Sequence, residues 1–384
     1  MSQMTPRERF WKVVNHEEAD RVPNFFGGTN SSIVPSHYKT VCDELGIVDS
    51  RIPVGDFGTV NLHRDIKERF HSDVELLLLG SPRRKTIASA EGDLVQDGMW
   101  GFMMKEVGGY RTFPDNITPL RQAKSVKDIE EYSMWPDPDD PVYYNKQKER
   151  ALKFFDSGKV VLGEGSYATA PFFVYPWLRG VDQWMMDPYK NPDLYHHLCQ
   201  KIVDYSKVIM ERWLADVGPY LDVLCFYNDI AMQNGPMVSL NHYRKWVLPY
   251  EKQLTDLARK MTKAKFSTHC CGSCFDLIPG FIECGYEILN PVQTRAKNME
   301  PWRLKKTYGD RITFYGGLDI QRLLPFGTPE EVRAGVKQLI KELATGGGFL
   351  FSTSHNIEPD SSASNIVTMF DAAYEFGEYP LQMD

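Results

Sequence analysis

The sequence predicts a single (β/α)8 barrel carrying an irregular N-terminal extension. Two observations point to it: β-prone runs rich in branched and aromatic residues alternate with helix-like runs from about residue 159 onward, and residues able to do chemistry stand just after those strands. Parallel neighbours need a helical crossover, so repeated β-then-α units imply a parallel sheet.

The elements follow in order. "KVVLGEGS" (159–166) reads as a buried strand ending in small polar residues, and helical patterns then run through "GVDQWMMDP" and "NPDLYHHLCQKIVDYSKVIMERWLADV". "LDVLCFYNDI" (221–230) is the next strand, followed by an Asn/Gly/Pro loop and the helix-like "LNHYRKWVLPYEKQLTDLARKM". "KAKFSTHC", a helix from "SCFDLIPGFIEC", the short strand "YEILNPVQ", a helix around "MEPWRLKKTYG", the strand "ITFYGGLD" and the helix "TPEEVRAGVKQLIKELATG" lead to a last strand, "GFLFSTSHNI". In "TPEEV" an N-cap Thr, a Pro at the first helical position and two acids in the first turn mark a helix start.

Composition fits a compact protein with a large core, since 42% of the 384 residues are hydrophobic and 25% charged. Two domains would fit that length, but barrels of this kind reach it with insertions. Without linker, low-complexity tract or solenoid repeat, one domain spanning 1–384 is the simplest reading. The best candidate for a break is the Pro-rich "MWPDPDDPVYYN" (134–145), which separates the irregular first third from the rest. A net charge of −7 with scattered Lys and Arg argues against a nucleic-acid surface. The N-terminus lacks the apolar core of a signal peptide and no segment approaches a membrane span, so a cytoplasmic protein without membrane association is expected. Seven cysteines, an odd number without small-scaffold spacing, argue against a disulfide framework.

The residues at the proposed strand ends are Glu164 and Ser166, Asn228 and Asp229, His269 and Cys271, Asn290 and Gln293, Asp319, and His355 and Asn356. In a barrel these positions converge on one rim, where the βα loops build the active site. In an open doubly wound sheet only those near a switch point could meet. The set is rich in His, Asp, Asn and Cys, whereas ordinary loops would use more Ser, Lys and Glu.

His269 and Cys271 form an H-x-C pair, whose side chains share a side if the strand continues. His355, in "TSHNI", is the best third donor, with Asp229 and Asp319 as weaker ones. Imidazole and thiolate suit Zn²⁺, and three protein ligands leave a fourth position open, as in catalytic sites. Cys271 and Cys274 also form a C-x-x-C, so a redox pair or a different ligand set is the competing reading. Cys270 should point into the barrel wall, and Cys274 and Cys284 read as small buried residues.

The ordered segments "RERFWKVVNHEEADRVP", "LRGVDQWMMDP", "YNDIAMQNGPMVS", "HCCGSCFDLIPGFIECGYEILNPVQ", "YGDRITFYGGLDIQRLLPFGTPEEVR" and "GGGFLFSTSHNIEPDSSASNIVTMFDAAYEFGEYP" resemble the uroporphyrinogen decarboxylase superfamily over nearly the whole chain. The resemblance implies a TIM barrel with its pocket at the C-terminal rim. True uroporphyrinogen decarboxylases carry an R-Q-A-G-R segment that pairs with propionates; the corresponding "VPNFFGGTN" has no Arg after Arg21. The corrinoid-dependent methyltransferase branch carries H-x-C plus a later cysteine as zinc ligands, and here His355 stands where that cysteine is expected. A centre with two imidazoles is less negative and more Lewis-acidic than a two-thiolate one, which suits an oxyanion leaving group better than thiol activation. The resemblance thus implies the methyltransferase component of an O-demethylase. Its zinc would be held by His269, Cys271 and His355. Its cobalamin would be carried by a partner corrinoid protein, since the chain has no D-x-H-x-x-G stretch, and its methyl donor would be a small methoxylated aromatic.

In that reading Asp229, Asp319 or a metal-bound water delivers a proton, while Asn228, Gln293 and Asn356 orient substrate or ligands. The aromatic supply includes Trp100, Phe102, Tyr110, Tyr167, Phe172 and Phe173, of which Trp100 and Tyr167 are the expected pocket residues. Competing readings are decarboxylation of a uroporphyrinogen-like or smaller carboxylate, methylcobalamin:thiol methyl transfer, and simple storage of a corrinoid or aromatic ligand. Homodimers occur in some members of the superfamily, and the resemblance extends that expectation to this chain.

Overall fold

The computed structural model describes residues 3–28, 30–49, 60–87, 94–107, 110–113 and 117–381. Seven parallel strands form one sheet in chain order: β1 (Val74–Leu78), β2 (Val160–Glu164), β3 (Val223–Tyr227), β4 (Lys265–His269), β5 (Ile288–Asn290), β6 (Thr313–Tyr315) and β7 (Phe349–Leu350). The segment 22–26 lies between the two ends of this sheet. Asn24 forms a parallel bridge with Phe351, and the Asp73 N–H donates to the Asn24 carbonyl at 2.8 Å. The chain thus curls into the expected (β/α)8 barrel, with an irregular segment in place of an eighth regular strand.

Two apolar layers follow from strand alternation. Val160 and Leu162 of β2, Val223, Cys225 and Tyr227 of β3, Ile288, Tyr315 and Leu350 fill the barrel interior. Leu224, Phe226, Phe266, Leu289 and Phe314 face outward against the helices. The helix Pro6–Val14 starts on a capping box between Thr5 and Glu8 and sends Phe10 and Val13 into the interior cluster from below. Arg9 joins Asp20 and Asp73, and Arg21 joins Asp73 at 2.8 Å.

The first third is more ordered than its composition suggests. It supplies β1 and a four-stranded antiparallel sheet (Lys85–Ile87, Leu94–Gln96, Met103–Val107 and Tyr110–Thr112), set between β1 and β2. The single helix expected over 240–261 is divided: Leu240–His242 is α-helical, Tyr243–Val247 π-helical and Leu248–Met261 α-helical again. The ladder is re-phased through this π-helical turn just ahead of Pro249, which carries no N–H and sits in the first turn of the following α-helix. No described helix is long and apolar enough to cross a membrane.

Candidate metal centre

The register across three strands builds the centre. Tyr227 pairs laterally with His269, and His269 with Asn290, so their side chains stand side by side on the inner face at the C-terminal rim. Cys271 continues the inward parity of His269, while Cys270 is fully buried in the outer layer with Cys274. Gly272, at φ +81°, then turns the chain away beneath the Met232 carbonyl. His355 arrives from the segment after β7, which pairs with the N-terminal region through the Ile33–Ile357 bridge.

One ligand atom from each of His269, Cys271 and His355 lies within 4.8 Å of the others, and among the described residues this is the one such group of three. Cys271 Sγ is 3.3 Å from His269 Nε2, and the two imidazole centroids are 6.3 Å apart. The other nitrogen of His269, Nδ1, is 2.6 Å from Asn290 Oδ1. Asn290 can only accept there, so Nδ1 carries the proton and Nε2 presents its lone pair toward Cys271. The Asn30 amide nitrogen lies against the same imidazole, 3.2 Å from Nδ1 and 3.4 Å from Nε2.

Electrostatics leave the donors neutral. Burial lowers His269 to about 4 against the opposing bond from Asn290. Burial, then the neighbouring His269, lowers His355 to about 4, opposed by Asp229. Burial and then Asp229 push the Cys271 thiol well up, and burial raises Asp229 despite the Cys271 N–H that donates to its Oδ1 at 2.7 Å. Two neutral imidazoles already have the form a metal needs, and a divalent cation would reverse the balance at the thiol. The donor set therefore fits Zn²⁺ with an open position.

The remaining site expectations divide. Gln293 Oε1 accepts from the Gly272 N–H at 2.7 Å and steadies the turn after Cys271. Asn356 Oδ1 accepts from the Ser32 N–H and ties His355's segment to the N-terminal loop. Asn228 is not turned toward the centre: strand parity sends it outward, where Nδ2 donates to Thr268 and Tyr286. Asp319 is committed elsewhere, since its carboxylate accepts from the N–H groups of Gln321, Arg322 and Leu323 and caps that turn. Trp100 is also away from the centre. Asp97 folds its turn inward by accepting the Met99 and Trp100 N–H groups, and the indole packs edge-on against Trp135 and Tyr205. Tyr167 lies 5.2 Å from Phe102 and 5.4 Å from Trp177, centroid to centroid. From there rings continue through Phe173, 4.9 Å from Trp177, and Tyr227, 5.6 Å from Phe173, to His269 at 5.3 Å. The side chain of Tyr110 lies outside the described residues.

Asn30, Asn290 and Tyr227 complete the surroundings. Asn290 was readable as a strand-end residue, but Asn30 lies in a stretch without strand periodicity.

A family model described as uroporphyrinogen decarboxylase (URO-D) matches residues 113–376. The chain belongs to the uroporphyrinogen decarboxylase family. A uroporphyrinogen decarboxylase of Pseudoalteromonas translucida is 33% identical over 72 residues, covering 19% of this chain and 20% of that protein. The methylated-thiol–coenzyme M methyltransferase of Methanosarcina mazei is 24% identical over 172 residues, covering 45% of this chain and 43% of that protein. The chain thus spans less than half the length of either curated relative. A solved structure described as a methyltransferase from Methanosarcina mazei superposes with a TM-score of 0.59 at 16% identity, covering 97% of this chain and 99% of that one. That likeness shows the shared barrel fold. Within the family, this member has Arg21 turned to Asp73, and "VPNFFGGTN" supplies no arginine beyond it.

Proposed function

We propose that the protein transfers a methyl group from a methoxylated aromatic to the Co(I) of a partner corrinoid protein, using a zinc ion held by His269, Cys271 and His355. The observation that carries this reading is the His-Cys-His cluster, with donor atoms within 4.8 Å, at the end of an aromatic run. When bound, the ion supplies Lewis acidity to the ether oxygen, because a phenolate leaves poorly unless its charge is met as it forms.

The chain's own residues do the rest. Asn290 holds His269 in the Nδ1–H tautomer, and Gln293 and Asn356 fix the turns that bring in Cys271 and His355. Phe173 and Tyr227 offer ring faces to a planar substrate beside His269. In the transfer the cobalt electron pair forms the Co–CH3 bond, the C–O pair stays on the phenolate oxygen, and a proton then converts phenolate to phenol. Asp229, raised by burial and bonded to the Cys271 N–H, is the carboxyl that would hold that proton.

The test adds a methoxyarene and a reduced corrinoid protein to the purified chain and follows methylcobalamin absorbance. Methylation that requires the chain supports the reading. Transfer only from methylated thiols would favour the second reading, which the named activity of the Methanosarcina mazei relative suggests. Metal-independent loss of CO2 from a carboxylate substrate would replace both.

A further inference from the structure

Behind the candidate centre, between β3, β4 and the helices outside them, runs a chain of buried polar groups that the transfer reaction does not use. Glu251, on the helix Leu248–Met261, is 2% exposed. Its Oε2 accepts from the Tyr243 hydroxyl at 2.6 Å and the Tyr286 hydroxyl at 3.4 Å, with the Cys284 thiol at 3.8 Å. The Tyr286 oxygen accepts from Asn228 Nδ2 at 3.2 Å, and the same amide reaches Thr268 Oγ1 at 3.0 Å. The Asn228 N–H donates to the His269 carbonyl at 2.7 Å. The chain of bonds therefore ends on Asn228 and Thr268, which adjoin Asp229 and His269 in sequence.

Stability alone does not account for this arrangement. A buried carboxyl is costly, and well-packed apolar residues of similar size commonly serve a core as well or better. Local structure is also bent to fit it: Tyr243 opens the π-helical turn, a feature frequent at functional sites. A Cβ at Gly280 would lie 2.6 Å from the Tyr243 ring. Glu251 Oε1 and Asn228 Oδ1 have no hydrogen-bond partner among the described residues, so satisfying polar atoms is not what the arrangement optimises.

We infer that Glu251 and Tyr286 are positioning residues for the centre, acting through Asn228 to lock the ends of β3 and β4 in the register that presents Asp229, His269 and Cys271. The inference rests on the zinc reading of those ligands. Asn228 straps β3 to β4 at the last paired residue, the point from which both chains leave the sheet. Burial also raises Glu251 to about 8, so at neutral pH the group is an uncharged carboxyl.

The experiment uses the full chain with Zn²⁺ as the probe. It compares wild type, Glu251→Gln, Tyr286→Phe and the apolar triple variant Glu251→Leu/Tyr243→Phe/Tyr286→Phe in zinc affinity, in the thiolate-to-metal band after Co²⁺ loading, and in thermal midpoint. The triple variant should keep or raise its midpoint while losing zinc affinity by tenfold or more, within the range for groups that orient metal ligands. Tyr286→Phe, which removes one hydroxyl, should lose several-fold and shift the Co²⁺ band, and Glu251→Gln should stay close to wild type. Should the triple variant not fold, Tyr286→Phe carries the test. Unchanged affinity and spectrum in the folded variants would overturn the inference alone, whereas a wild type that binds no zinc would overturn the zinc reading and this inference with it.

Discussion

His269 Nδ1 lies 2.6 Å from Asn290 Oδ1, and this contact decides which imidazole nitrogen faces Cys271 and His355. Replacing Asn290 by Ala removes the acceptor that fixes the tautomer. Zinc affinity should fall about 10–100-fold, while Asn290→Asp, which keeps the acceptor, should retain most of it. Zinc titration of the two variants against a chromophoric chelator measures the difference.

Asp229 accepts the Cys271 N–H at 2.7 Å and carries the raised carboxyl of the site. In Asp229→Asn the amide oxygen can still take that hydrogen bond, but the titratable proton is gone. Zinc content should be unchanged and kcat for O-demethylation should drop about 10²-fold or more. Equal turnover in the variant would assign the proton to solvent.

Gly272 combines φ +81° with a Met232 carbonyl oxygen that a Cβ would meet at 2.7 Å. Gly272→Ala should destabilise the protein by at least about 1–2 kcal/mol. It should also displace the turn held by Gln293 and weaken zinc binding. Thermal unfolding and metal titration of the same preparation separate the two effects.

Burial of Glu251 sets a pH dependence of stability. Its folded pKa, about 8, lies above the ordinary 4.5, so its favourable contribution is complete below about 4.5 and is lost as pH rises toward 8. The titratable groups bonded to it, Tyr243, Cys284 and Tyr286, are all pushed upward and stay neutral across that window. Between pH 5 and 8 wild type should therefore lose stability relative to Glu251→Gln, by a few kcal/mol in all. Denaturant midpoints of both proteins at several pH values provide the check, and parallel curves would contradict the assignment.

Much of the barrel was legible because β-branched runs and helical stretches alternate strongly after residue 159, and the H-x-C parity is a direct consequence of strand period two. The misplacements have the same origin. Asn228 and Asp229 are both polar strand-end residues, yet one residue of register turns Asn228 outward to Thr268 and Asp229 inward to Cys271. Asp319 looked like an active-site acid because Asx capping of the next turn uses the same residue type at the same place. Asn30 could not be read because it reaches His269 from a segment without periodicity, and Trp100 because an aromatic-rich stretch does not say which layer it packs in. β1 was missed since its short apolar run is followed by an antiparallel insert rather than a crossover helix.

The most direct measurement is the zinc content of the purified chain, wild type beside Cys271→Ser and His355→Ala. One zinc per chain in wild type and its loss in both variants is the predicted result. Zinc retained in His355→Ala would contradict the three-ligand centre, and a zinc-free wild type that still methylates cobalt from a methoxyarene would contradict the account as a whole.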